Sequence, residues 1–203
     1  MRWRLLRCYV ESVVHRTREY NTMLRLDCKL FALLVLAVVS LQSTVHAQTT
    51  TPRFEYLMTY EAELELPQAF HDKLYIYNVK PGGWAKGPNI QGSFIAPGAD
   101  WLRMMPSGVA RLDVRATLKT DDGALIYITY NGIIQHSKES FEKLVNGQTF
   151  SASDGLYFVT APTFETSSEK YAWLNGVQAI NKFVEARISP ERSYVRYDVF
   201  VVR

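Results

Sequence analysis

Beyond residue 47 the chain has no cysteine; its two cysteines are Cys8 and Cys28. That part of the protein therefore carries no disulfide, no thiol nucleophile and no thiolate metal ligand, and its core must hold it together. A membrane-spanning run is also lacking. The apolar stretch Leu30 to Leu41 falls short of the roughly 20 residues that cross a bilayer. There is no G-x-S-x-G elbow and no Gly-rich nucleotide loop, which excludes the easily read hydrolases and nucleotide enzymes. Histidine is scarce: His71 and His136 stand far apart, without the spaced partners of a zinc site, so no metal is expected. No cofactor motif is present, and no cofactor is expected.

What is there begins with a leader. From Met23 a short basic start (Arg25, Lys29) precedes the apolar run, and Val45, His46 and Ala47 close it with a small-x-small end. That is the pattern of a secretory signal peptide cleaved near Ala47. The expected organisation is an extension plus signal over residues 1–47, a flexible lead-in over 48–53 and one domain over 54–203. A retained anchor or buried helix is the alternative for the apolar run. Residues 1–22, with five arginines and no core pattern, leave Met1 or Met23 as the start. The expected location is exported, periplasmic or extracellular, with no membrane association after cleavage.

Removing the leader changes the charge. The whole chain has 23 Lys+Arg and 20 Asp+Glu; seven of those bases and three of those acids lie before residue 48, which leaves 16 against 17. The apparent basicity belongs to targeting, so no nucleic acid is expected as a partner. The remaining length, about 156 residues, buries roughly 68–70% of its unfolded surface and suits one core.

The patterning is that of strands. Phe54, Tyr56, Met58, Tyr60, Ala62, Leu64 and Leu66 alternate with Glu55, Thr59, Glu61, Glu63 and Glu65. Ala110 to Leu118 repeats the alternation against Arg111, Asp113, Arg115 and Thr117. Period two means a half-buried strand. Strand-like runs also cover 74–79, 90–96, 101–105, 124–131, 157–160, 171–174, 177–188 and 194–202. Pro81-Gly82-Gly83, Pro97-Gly98, Pro106-Ser107-Gly108, Asp121-Asp122-Gly123 and Ser189-Pro190 read as the turns between them. Ser137 to Val145 breaks the pattern: an N-cap Ser, an early Glu139, Phe141, Leu144 and Val145 on one face, and Gly147 past the end predict a short helix. The fold class is therefore all-β, an antiparallel β-barrel of about eight to ten strands with one short helix; barrel closure removes exposed edges.

Several motifs point to a family. GADW (98–101), the LDVR segment with Arg115, TDDGALIY (120–127), TAPTFE (160–165) and YAWLN (171–175) stand in an order that resembles domain of unknown function 3237, also called uncharacterised protein family 0311. The resemblance covers nearly all of 54–203. It implies an antiparallel barrel with a central ligand pocket and self-association into a homo-oligomer; it implies no activity. Tyr75 and Ile76 stand where the family usually has an Arg pair, and Ala85 where it has Phe, so ligand specificity should differ here.

Candidate chemistry centres on Asp100 and Arg115. Asp100, after a Pro-Gly turn and beside Trp101, reads as a carboxyl at a pocket rim whose burial would raise its pKa for acid–base work. The plainer reading is an Asp capping a turn beside a core Trp. Arg115 reads either as a guanidinium gripping a carboxylate or enolate inside the barrel, or as part of a solvated outer face with Arg111 and Asp113. Asp121-Asp122-Gly123 reads as a hairpin turn rather than an acid cluster. Asn131, Glu165 and Asn175 are polar groups in or beside apolar strands, hence bond-makers or ligand contacts. Tyr127, Tyr130, Tyr157, Tyr171 and Trp173 supply aromatic walls or core.

Three functions follow. The leading one is a barrel binding a small organic molecule, anionic or oxygenated. As an enzyme it is a cofactor-free lyase, isomerase or cyclase with Asp100 as acid or base and Arg115 as oxyanion partner; as a carrier it holds the ligand unchanged. The third is a structural or interaction barrel filled by its own side chains, which a cavity well short of ~300 Å³ would favour.

Overall fold

Alternation over so many segments leaves each strand one apolar face, and the shortest way to bury all of these faces is to roll the sheet up. The computed structural model describes residues 51–203. The leader, its cleavage point and the start of the lead-in lie outside the described residues. The strands are β1 (Phe54–Glu63), β2 (Gln68–His71), β3 (Leu74–Asn78), β4 (Gly82–Lys86), β5 (Gln91–Met104), β6 (Ala110–Thr120), β7 (Leu125–Gln135), β8 (Phe150–Ser151), β9 (Tyr157–Thr160), β10 (Thr163–Glu165), β11 (Ala179–Arg187) and β12 (Tyr194–Val202). One α-helix is among the described residues, α1 (Lys138–Val145), with 3-10 turns at Ala152–Asp154 and Glu169–Gly176.

Eight strands close a ring, β1–β4–β5–β6–β7–β9–β11–β12 and back to β1, every pair antiparallel. The first and last strands seal it, pairing from Phe54 opposite Val202 to Glu63 opposite Tyr194 with one register shift between Tyr56 and Met58. The described residues thus form a closed eight-stranded antiparallel barrel, as the alternation predicts. β3 and its hairpin partner β2 line the second half of β5, and β10 lines the first half of β7. The Asp121-Asp122-Gly123 segment is the β6–β7 hairpin turn, with Gly123 at φ +88°. There Asp122 Oδ2 accepts from Lys170 Nζ at 2.6 Å and from Tyr171 Oη at 3.1 Å.

Three expectations are corrected. Pro97-Gly98 does not end a strand: β5 runs through it with a register shift between Ile95 and Ala99. Gly98 permits this, since a Cβ there would press on the β6 backbone at 3.1–3.2 Å. The run 171–174 is a 3-10 turn rather than a strand, because buried Tyr171 and Leu174 are spaced three apart. The alternation of β1 slips at a bulge between Tyr56 and Met58, which leaves Phe54 and Tyr56 exposed while Met58 and Tyr60 turn inward.

The interior has two ends. At one, Leu118, Ile126, Ala179, Val199 and Leu174 pack with at most 1% exposure. At the other, inward residues of the second half of β5, β3 and the ends of β7 and β11 leave a cavity beneath α1. The helix is fixed there by its cap: Ser137 Oγ accepts from the Ser140 amide at 3.0 Å. On the outer face Glu61 is buried, and its carboxylate takes up the guanidinium groups of Arg192 and Arg196.

Candidate functional site

The cavity has a volume of about 90 Å³. Apolar side chains make most of its wall, among them Val79, Phe94, Leu102, Leu112, Val114, Ile128 and Ile134. Half-buried Leu64, Tyr77, Leu102, His136, Leu144 and Ile188 mark its open side. The volume falls short of the ~300 Å³ at which drug-sized pockets begin, yet each water needs only ~10–15 Å³ of such space. Such a volume admits only a small molecule or one part of a larger one.

Asp100 is the acidic side chain in that wall. It lies opposite Val114 of β6 and Tyr77 of β3. Pairing sets its direction: Val114 faces inward, and cross-strand partners share a face. Burial pushes its carboxyl up to about 7. The Asp113 amide, donating to Asp100 Oδ1 at 3.2 Å, opposes the rise, and the Asp113 charge adds to it. A group that titrates near neutral pH can both give and take a proton there.

Around it stand four tyrosines, Tyr60, Tyr77, Tyr130 and Tyr197. Burial first, and the Asp100 charge among the further causes, holds Tyr130 and Tyr197 well above the usual phenol range. Tyr77 is pushed up to about 12 by burial, then by Asp100 and Tyr75. Burial also raises Tyr60, whose Oη accepts from the wholly buried Asn181 Nδ2 at 2.9 Å. All four remain protonated at neutral pH, and the Tyr130 hydroxyl bonds those of Tyr60 and Tyr197. Aromatic contacts fix the rings, Tyr60 tilted against Tyr197 at 5.4 Å and Tyr130 edge-on to Tyr197 at 6.3 Å. Such a wall can orient an oxygenated molecule and stabilise negative charge as it develops on oxygen.

The remaining sequence candidates lie elsewhere. Arg115 is on the outer face: its Nη1 donates to Asp113 Oδ1 at 2.9 Å, and its guanidinium stands 5.3 Å over the Trp101 ring. Neither Arg115 nor Trp101 lines the cavity. The reason is the alternation of β6, in which Leu112, Val114 and Ala116 take the inside and their neighbours must face out. Asn131 is exposed, and its Nδ2 donates to the Leu112 carbonyl at 3.1 Å. Tyr127, Glu165 and Asn175 border a shallow outer groove, where Asn175 bonds both backbone groups of Thr166. Tyr157 is exposed on β9; Trp173 lies at the packed end under Arg203, and Tyr171 is core there.

Sequence reasoning gave no site role to Tyr60, Tyr77 or Tyr197, weighed His136 only as a metal ligand, and treated Tyr130 as an aromatic wall or core residue. Alternation could have found three of them: Tyr60 follows Met58 on one face of β1, Tyr130 follows Ile126 and Ile128 on β7, and Tyr197 precedes Val199 and Val201 on β12. No local pattern marks Tyr77 or His136.

A small closed barrel with a half-buried carboxyl among tyrosines defines the class. The chain belongs to the family described as "Protein of unknown function (DUF3237)", which matches residues 50–202. A relative from Clostridium acetobutylicum, an uncharacterised protein family 0311 protein, is 39% identical over 92 residues, covering 45% of this chain. That match spans 58% of the relative's length. The crystal structure of a conserved protein of unknown function from Rhodopseudomonas palustris superposes with a TM-score of 0.68 at 28% identity, over 77% of this chain and all of the other. A hydroalkoxylation enzyme of Penicillium herquei is 29% identical over 155 residues, 74% of this chain and 84% of that protein.

Proposed function

We propose that the barrel is a cofactor-free enzyme that moves a proton within a small oxygenated organic molecule, as a cyclase, isomerase or lyase. The observation that carries this reading is Asp100, a carboxyl raised to about 7 inside an apolar, tyrosine-lined cavity. A structural core has no use for such a group, because a buried carboxyl costs stability and perturbed groups gather at functional sites. The relative named as a hydroalkoxylation enzyme supports the same class, since adding O–H across C=C needs one proton delivered and one removed. In this role protonated Asp100 supplies the proton, and the hydroxyls of Tyr130 and Tyr197 hold the substrate oxygen. Arg115 has no part in it. The leader reading puts the enzyme outside the cytoplasm.

The second reading is a structural barrel, which the 90 Å³ volume favours. Cyclisation of 2-allylphenol and 2-hydroxyphenyl vinyl ketone, two small hydroxy-alkenes, separates the two. Acceleration by the wild type that falls about 10²-fold or more in Asp100→Asn, with binding of phenol retained, supports the enzyme. No acceleration and no phenol binding supports the filled barrel.

A further inference from the structure

We propose that His136 is a second ligand-contacting residue of this cavity, a neutral base whose Nε2 accepts the hydroxyl proton of a small phenol or enol. This rests on the proton-transfer reading of Asp100 and gives that site its second half.

The argument is one of geometry. His136 lies just beyond β7, two residues after inward-facing Ile134, and lines the cavity. Two aromatic edges hold its ring, Phe150 at 5.5 Å and Phe141 at 6.1 Å. Its Nδ1 is 3.1 Å from the hydroxyl of the fully buried Ser140. The helix cap then bears on which nitrogen carries the proton. Ser137 Oγ donates to the Asp154 carbonyl and accepts from the Ser140 amide at 3.0 Å. The Ser140 hydroxyl has one proton and lies 3.1 Å from His136 Nδ1, 3.2 Å from Ser137 Oγ and 3.2 Å from the Ser137 carbonyl; we assign the proton to that carbonyl. With that assignment Ser140 Oγ is left as an acceptor, Nδ1 carries the hydrogen and Nε2 keeps its lone pair. Burial lowers the pKa of the ring, which favours the neutral form. Both cations of α1 are paired with carboxylates: Lys138 with Glu142 at 3.8 Å, and Lys143 with Asp154 at 2.6 Å and Glu139 at 3.2 Å.

The cavity therefore holds two proton-handling groups of opposite readiness, a carboxyl that is protonated up to about pH 7 and an imidazole with a free lone pair. The substrate class that uses both is a small molecule bearing a phenol or enol hydroxyl and a C=C bond. Its O–H proton passes to Nε2, the oxygen bonds to one alkene carbon, and the other carbon takes the Asp100 proton. One C–O and one C–H bond form as the O–H and π bonds break. The imidazolium then returns its proton to the Asp100 carboxylate through water, and nothing is oxidised or reduced.

The test is long-range 1H–15N NMR of the protein labelled at histidine, with His71→Gln used for assignment and phenol as the probe. The expected spectrum at pH 7.5 has His136 protonated on Nδ1 alone, with phenol shifting Nε2 selectively. Ser140→Ala should mix the two tautomers. In Asp100→Asn the phenol shift should persist, so failure of the Asp100 reading leaves this contact standing. His136→Gln should slow cyclisation about 10²-fold and weaken phenol binding. A proton on Nε2, or a His136 signal that phenol does not move, overturns the proposal. So does a cyclisation rate that His136→Gln leaves intact.

Discussion

The two ends of this barrel are built from the same strands and differ in what they bury. At the packed end Leu118, Ile126, Ala179 and Val199 reach 0% exposure, and the 3-10 turn at Glu169–Gly176 adds Tyr171 and Leu174 to the same cluster. At the cavity end Leu64, Leu102, Tyr130 and Leu144 are only partly buried, and a carboxyl stands among them. Change of neighbour along a strand creates the contrast. β5 pairs with β4 in its first half and, after the shift at Ile95–Ala99, with β3 in its second. The first arrangement closes over a filled interior; the second opens the wall and turns Asp100 inward. Stability is concentrated where no polar group needs room, which lets the other end carry a costly one.

The largest effect should come from cutting into the packed end. Leu174→Ala removes a side chain with 1% exposure and should cost about 2–5 kcal/mol. Leu102→Ala, at the cavity mouth, should cost less than half of that, because its surroundings are already partly open. Urea unfolding of both variants measures the difference. Equal costs would dissolve the distinction between the two ends.

A smaller, pH-dependent effect should mark the cavity end. Asp100 has its folded pKa raised to about 7, against about 3.9 in the unfolded chain. Between these values the folded state binds the extra proton, so stability falls as pH rises from about 4 to about 7 and then levels off. Asp100→Asn abolishes that fall. The variant should gain about 1 kcal/mol more at pH 8 than at pH 5, after allowance for solvent at the open side. Melting curves at the two pH values decide it; a gain of equal size at both would mean that the carboxyl ionises without penalty.

How much of this was legible follows from the range of the forces. The barrel and its helix could be read because period two in β1 and β6, and the Ser137 cap, are local. The register shift at Pro97-Gly98 was hidden, because that dipeptide also makes turns and only the close approach of β6 to Gly98 shows that the strand continues. The 171–174 run looked like a strand because its apolar residues suit either period. Asp100 was found from its Pro-Gly context and aromatic neighbour. Its tyrosine partners come from four different strands, and nothing in one segment announces that Tyr60, Tyr77, Tyr130 and Tyr197 meet. His136 was weighed as a metal ligand, and its bond to Ser140 depends on how α1 folds back over the cavity.

Arg115 gives the smallest and most pointed test, since the sequence leaves its face open and the structure puts it outside. Its partners, Asp113 at 2.9 Å and the Trp101 ring at 5.3 Å, are on the outer surface, and both members of the ion pair are close to half exposed. Such a pair is worth about 0.2–1 kcal/mol. Arg115→Met keeps the length and apolar stem of the side chain, so it should lower stability by no more than that and leave phenol binding at the wild-type level. The control is Val114→Asp, one residue away on the inner face, which puts a charge opposite Asp100 and should abolish binding. If Arg115→Met weakened binding as much as Val114→Asp, the functional face of β6 would be the outer one, and the ligand site would have to be sought beside Trp101 and Asp113 instead of within the barrel.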